Sequence, residues 1–219
     1  QLAQVPGLAR IRLSSLEPGD ITEALLGVFS QHKNILPHLH LSLQSGSDKI
    51  LKKMCRQYRS QDFLDITERI SRFLDRPALT TDLIVGFPGE TEDDFLDTLT
   101  LARAVGFAKI HVFPYSVRPG TAAAKMPGRI DGDVIRERAR VLRQLEAKLA
   151  QEFRGQFLGK TCEVLIEGQD KQSYGRSERY FKVFLEATKC APPQNSLVRV
   201  RLKEHFKDGV SGIPITAIE

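Results

Sequence analysis

The sequence predicts an α/β fold in two parts: a partial parallel (β/α) barrel over residues 1–154 and a small all-β barrel over residues 155–219. Three observations predict it. Short β-branched runs alternate with amphipathic stretches through the first two-thirds, the pattern of βα units on a parallel sheet. A long charged helix follows, with Ile135, Leu142, Leu145 and Leu149 at spacings of three, four and seven. Beyond about Gly155 the runs become short and alternating, separated by Gly, Asn, Asp and Pro, which suits a small barrel.

The elements follow in order. Arg10 to Ser15 alternates polar and apolar residues as a strand does. Pro18 and Asp20 open a helix carrying Ile21, Leu25, Leu26 and Phe29. Leu39 to Gln44 is a second strand, and Ser45-Gly46-Ser47-Asp48 is a turn with N-cap residues before Ile50, Leu51 and Met54. Phe63, Ile66, Ile70 and Phe73 mark another helix, and Pro77 ends that stretch. Leu79 to Val85 is the third strand, followed by the turn Gly86-Phe87-Pro88-Gly89-Glu90-Thr91 and a helix with Phe95, Leu99, Leu101 and Ala102. Lys109 to Pro114 is the fourth strand. In the tail, strands are predicted at Cys162–Glu167, Phe181–Leu185 and Leu197–Leu202, with the boundary between Phe153 and Phe157.

Four βα units cannot close an eight-stranded barrel, so the first and last strands are predicted edges. Ile11 and Leu13 then need a partner the sequence does not contain, and that edge is expected to promote self-association. The chain begins Gln1-Leu2-Ala3 without Met and reads as part of a longer one.

Hydrophobic residues make up 41% and charged residues 27%, the balance of a globular protein. No run is apolar and long enough to span a membrane, and the N-terminus has no signal-peptide pattern. A net charge of +5 is compatible with a polyanion partner without establishing one. Cys55, Cys162 and Cys190 are odd in number and widely spaced, which argues against a disulfide framework and fits a reducing, cytoplasmic setting. Each is read as a small, partly buried hydrophobe.

Parallel α/β sheets bind ligands at the C-terminal ends of their strands. Four turns meet there: Ser14 to Glu17, Gln44 to Ser47, Gly86 to Glu90, and Pro114 to Ser116. Their hydroxyls, amides and glycines suit a cofactor with ribose hydroxyls and an amino-acid end. Gly86 and Gly89 either let the backbone approach a ligand or simply shape a strand-to-helix turn. His38, His40 and His111 lie at or near strands. His40 and His111 could be metal ligands, but no carboxylate or cysteine sits at metal-ligand spacing in the sequence, so no metal site is assigned. Asp82, inside an apolar strand, is either a pocket residue or half of an internal salt bridge. Arg56, Tyr58 and Arg59 either contact RNA or neutralise a helix C-terminus.

Taken together, RIRLSSLEP (10–18), HLHLSLQSGSD (38–48), TTDLIVGFPGET (80–91) and HVFPYSVRPGT (111–121) resemble the last four strands of the radical S-adenosylmethionine (SAM) barrel of tRNA methylthiotransferases. The tail from about Gly155 resembles the TRAM domain, a small RNA-binding β-barrel. RIRLSSLEP and HVFPYS are most similar to the branch that modifies N6-threonylcarbamoyladenosine next to the anticodon. Ser42 stands where the family commonly has proline.

The resemblance implies an enzyme that uses SAM and two [4Fe–4S] clusters to add a methylthio group to C2 of adenine in tRNA. Clusters need thiolate ligands, and the family's cysteines, CxxxCxxC among them, have no counterpart here, so the chain alone is expected to be inactive. It implies that Gln44, Ser45, Ser47, Ile84, Gly86 and Phe113 lie near SAM, and that Tyr115, Ser116 and Arg118 lie nearest the substrate. In the tail, Arg176, Arg179, Lys182, Arg199 and Arg201 are candidate tRNA contacts, with Lys160, Tyr180 and Lys203 beside them. Arg199 and Arg201 alternate with Val198, Val200 and Leu202 and so share one solvated face. Of Tyr180 and Phe181, one is expected in the core. The alternatives are a non-catalytic RNA-binding module, an isopentenyladenosine-specific methylthiotransferase, and a cofactor-free α/β enzyme with a phosphate site at Gly86–Gly89. The last lacks a P-loop lysine.

Overall fold

A computed structural model describes residues 1–169, 172–186 and 191–215. Strands β1 (Ile11–Leu16), β2 (Ile35–Leu41), β3 (Ala78–Val85) and β4 (Lys109–Pro114) form one parallel sheet in that order. Helices α1 (Glu23–Gln31), α2 (Asp48–Lys53), α3 (Ser60–Phe73), α4 (Glu92–Val105) and α5 (Gly132–Gly155) complete the unit. Period-two alternation sorts the strand residues. Leu39, Leu41, Leu83 and Val85 are buried in the helix-covered core, and Ile21, Leu26, Phe63, Ile70, Leu99 and Leu142 pack with them. His40, Asp82, Ile84 and His111 fall on the opposite, open face and are only half-buried.

Local chemistry sets the helix limits. Thr22 Oγ1 accepts from Leu25 N–H and caps α1, so that helix starts later than Pro18 and Asp20 suggest; those residues form a 3-10 turn. Thr91 and Asp94 form a capping box at α4, and Gly106, in the left-handed region at φ 68°, ends it. The helix after β4 reads as forecast, except that it also buries Arg138.

The tail closes into a five-stranded barrel in the order β5-β6-β7-β9-β8, formed by β5 (Thr161–Gly168), β6 (Tyr174–Ser177), β7 (Lys182–Leu185), β8 (Leu197–Phe206) and β9 (Gly209–Pro214). Its core holds Val164, Ile166, Val183, Val200 and Val210, and Phe153 of α5 and Phe157 complete it. β6 and β9 are absent from the sequence reading because glycine reads there as punctuation. In the barrel it is a packing requirement: a Cβ on Gly212 would lie 2.5 Å from Val200 Cγ1. β2 begins at Ile35 rather than Leu39, with Pro37 at a register irregularity against β1, where a missing N–H is tolerated. Cys55 is exposed, not partly buried; Cys162 is buried in the barrel, and burial pushes its thiol pKa up. Cys190 lies outside the described residues.

The barrel sits against the N-terminal end of the sheet. Arg10 donates to Glu163 O at 2.9 Å and pairs with its carboxylate, and Arg12 donates to Ser177 O at 2.8 Å. Tyr180 stacks on His38 with ring centroids 4.4 Å apart. Among the described residues β1 has no strand on its outer side; Leu13 packs against the core. Among the described residues no helix is long and apolar enough to cross a membrane.

Candidate functional site

The turn after β2 is held by its neighbours. Gln44 adopts φ 69°; its N–H donates to Asp82 O and its carbonyl accepts from Ile84 N–H, both at 2.9 Å. Ser45 and Ser47 are fully buried. Ser47 Oγ caps α2 and donates to Asp94 Oδ1 at 2.7 Å, while Ser45 Oγ accepts from Ser47 N–H. Gly46 N–H donates to Thr98 Oγ1 at 3.0 Å. A Cβ on Gly46 would lie 2.5 Å from Thr98 Cα, so only glycine lets the turn meet α4. The two serine hydroxyls therefore engage α4 and their own turn, and of this segment Gln44 lies nearest the open face.

The turn after β3 is fastened to α5. Glu90 is buried; its Oε2 accepts from Gly86 N–H at 2.7 Å and from Arg138 Nη1 at 2.6 Å. Burial raises the Glu90 pKa, opposed by the Gly86 N–H and by Arg138. Gly86, at φ 79°, faces the Ile135 side chain, leaving no room for a Cβ. Its smallness lets α5 pack against the turn. Arg138 and Glu90 are missed by sequence reading, because an arginine within a charged helix reads as solvated.

Along the open face the registered pairs stack in layers. Ile84 pairs with Phe113 at the C-terminal end of the strands, Asp82 with His111 one step below, and Thr80 with Lys109 below that. Phe113 is 49% exposed and offers an apolar platform beside half-buried Ile84. Tyr115 N–H donates to Val85 O, its ring meets the Phe87 ring edge-on at 5.4 Å, and its buried hydroxyl has no hydrogen-bond partner among the described residues. Ser116 and Arg118 are exposed on the following loop, whose turn is closed by Thr121 donating to Arg118 O.

This arrangement fits an adenosyl group: an apolar platform for the base, an unpartnered tyrosine hydroxyl, and the Gln44 amide nearby in sequence register. It does not provide an iron–sulfur ligand set. Cys55 and Cys162 lie in different parts of the fold, and no cysteines come together among the described residues.

His40, in contrast to the sequence expectation, does meet a carboxylate. Asp82 Oδ2 lies 3.5 Å from His40 Nε2, so Asp82 is at once an open-face residue and half of an internal pair. Burial, then Arg12, His40 and Arg176, push the His38 pKa down to about 3. Burial also lowers the His111 pKa, against the pull of Asp82. Arg56 pairs with Glu17, and Tyr58 donates to Ser42 O, so neither stands free toward a ligand.

In the tail the candidate contacts divide. Arg179 donates to Arg76 O and Asp75 O, both at 3.1 Å, and Arg176 lies over the Tyr180 ring and donates to Tyr180 O; both serve the junction with the sheet. Tyr180 is at that junction and Phe181 packs with Phe153 and Phe157, so Phe181 is the core member of the pair. Lys182 lies over the Tyr174 and Phe184 rings. Arg199 and Arg201 are exposed on β8. A cavity of about 470 Å³ between α5 and the barrel gathers Lys109, Arg154, Arg176, Arg179 and Lys182.

The Radical SAM superfamily domain matches residues 8–102. The chain is 41% identical over 212 residues to the threonylcarbamoyladenosine tRNA methylthiotransferase MtaB of Chlamydia pneumoniae, covering 97% of this chain and 50% of that protein. It is 43% identical over 216 residues to the tRNA-2-methylthio-N(6)-dimethylallyladenosine synthase of Acidothermus cellulolyticus, covering 97% of this chain and 41% of that protein. It thus spans half or less of the length of these curated relatives. Coproporphyrinogen III oxidase from Escherichia coli, a radical SAM enzyme, shares the fold, with a TM-score of 0.50 and 18% identity over 62% of this chain and 32% of that one. On these grounds the chain belongs to the radical SAM superfamily and, within it, to the tRNA methylthiotransferases.

Proposed function

We propose that this chain is the part of a tRNA methylthiotransferase that supports SAM and grips tRNA, in an enzyme adding a methylthio group to C2 of N6-threonylcarbamoyladenosine next to the anticodon. The observation that carries the reading is the convergence of Gln44, Ile84, Phe113 and Tyr115 at one end of a parallel sheet, with a small β-barrel that exposes Arg199 and Arg201 fixed to the other end. RIRLSSLEP and HVFPYS favour the threonylcarbamoyl substrate, while relatives named for the dimethylallyl substrate match to a similar degree. SAM, when bound, supplies the hydrogen-abstracting group and the methyl group. The chain's own residues bind and orient: Ile84 and Phe113 support the adenine, the pinned Gln44 backbone shapes the floor, and Ser116 and Arg118 face the nucleotide. Two [4Fe–4S] clusters belong to the reading for the whole enzyme, and the described residues bring together no cysteine set for either. The division at residues 154 and 155 separates the cofactor-supporting part from the RNA-contacting part, the latter acting in a TRAM-like manner.

The test uses the full-length protein, reconstituted anaerobically with iron and sulfide and given SAM, a reductant and tRNA carrying either modified adenosine. Methylthiolated threonylcarbamoyladenosine in the digested tRNA supports the proposal. Product only from isopentenyladenosine moves the substrate to the other branch. Binding without product, from a protein with intact clusters, moves the chain to a non-catalytic RNA-binding role.

A further inference from the structure

One group of side chains on the open face has no part in that reading. His40 on β2, Asp82 on β3 and His111 on β4 place their ligand atoms within 4.8 Å of one another, and all three residues are solvent-accessible. No sequence spacing announces this, because the three lie on different strands and meet only through register: His40 pairs with Thr80, and Asp82 with His111.

The geometry points to a site for one divalent transition-metal ion of the zinc class, held by His40, Asp82 and His111. Two imidazoles and a carboxylate are the donor set such ions take, and three protein ligands leave a position open to an oxygen ligand. His40 Nδ1 is 3.0 Å from Thr80 Oγ1, which is 3.3 Å from His38 Nε2. That chain holds the His40 ring so that Nε2 turns toward Asp82, as the outer-shell partner of a ligating histidine does. The facing atoms, His40 Nε2 and Asp82 Oδ2, are 3.5 Å apart, too far for a good hydrogen bond. Among the described residues no lysine or arginine pairs with Asp82, whose contact is the histidine, so a bound cation would bring a fixed positive charge to the carboxylate. The His40 and His111 rings are tilted by 48° with centroids 5.9 Å apart, leaving both edges accessible. Metal–nitrogen distances of about 2.0–2.1 Å require only an inward closure of the three side chains. Asp82 and His111 lie one register step below Ile84 and Phe113 on the same face.

The experiment uses the chain stripped with a chelator and titrated with cobalt chloride, then with zinc chloride. The expected result is one equivalent of Co2+ bound, with the visible absorption of a nitrogen–oxygen ligand set and no thiolate charge-transfer band, and displacement by Zn2+. Asp82→Asn and His111→Ala are each expected to weaken binding at least tenfold, with the far-UV circular dichroism retained. Thr80→Ala, which leaves all three ligands in place, is expected to weaken it about tenfold. Absence of saturable binding in the wild-type chain overturns the proposal without any variant. A thiolate band overturns it in favour of Cys55, and so does an unchanged titration in folded Asp82→Asn. The readout is stoichiometry and spectrum, so it stands or falls apart from the methylthiotransferase reading.

Discussion

Arg138 reaches from α5 to Glu90, its Nη1 2.6 Å from Oε2, with side chains 8% and 1% exposed. The pair ties the turn after β3 to the long helix, and Glu90 also holds the Gly86 N–H. Truncating Arg138→Ala leaves a buried carboxylate without its cation, which costs about 3–5 kcal/mol. Urea unfolding measures it, and an unchanged midpoint would contradict the structural role. Replacing both members, Glu90→Gln with Arg138→Met, is expected to recover part of the loss.

Asp94 is expected to make stability pH-dependent. Burial disfavours its charge, but the ion pair with Lys49 at 2.6 Å and the bonds from Thr91 and Ser47 outweigh it, holding the folded pKa below 3.8. For a depressed carboxylate the contribution is fully present above the unfolded pKa and fades as pH falls toward the folded one. Unfolding measured stepwise from about pH 5 to about pH 2 should show that decline in the wild type and a shallower one in Asp94→Asn.

Gly46→Ala should destabilise the protein by about 1–3 kcal/mol, because the new methyl meets the backbone of Thr98 rather than a movable side chain. The same change at Gly19, where nothing lies within 4 Å of an added Cβ, is the control, expected within about 0.5 kcal/mol.

Tyr180→Ala removes the stack on His38 and the ring that Arg12 and Arg176 lie over. A loss of about 1–3 kcal/mol is expected. In calorimetry the sheet and the barrel should then unfold in separate steps. One unchanged cooperative transition would show that the junction rests on Arg10 and Phe153 instead.

For RNA, Arg199→Ala with Arg201→Ala should lower the salt dependence of tRNA binding by about 0.7 for each phosphate that the missing guanidinium had neutralised. Arg179→Ala should leave that slope unchanged, since its guanidinium is spent on Arg76 O and Asp75 O. Equal slopes for all variants would remove β8 from the RNA surface.

What the sequence made legible is what depends on local pattern. The β-branched runs at Leu79–Val85 and Lys109–Pro114 and the spacing of Leu142 and Leu149 carry their periodicity openly. Glycine-containing β6 and β9 did not, because their glycines answer to neighbours far along the chain. The resemblance implies that Ser45 and Ser47 lie near SAM; that both are also buried follows from contacts no local pattern displays, because the tight strand-to-helix turn satisfies its own polar groups against α4. The meeting of His40, Asp82 and His111, and of Glu90 with Arg138, depends on register and docking across many residues, which no spacing encodes.

The long helix α5 touches both ends of the molecule: Ile135 and Arg138 meet the turn after β3, while Phe153 enters the core of the tail barrel. Twenty-four helical residues make it about 36 Å long. It acts as a measuring rod. The span between the turn after β3 and the core of the tail barrel is thus set by turns of helix and not by a slack tether, so distance is written into the number of residues between two anchors.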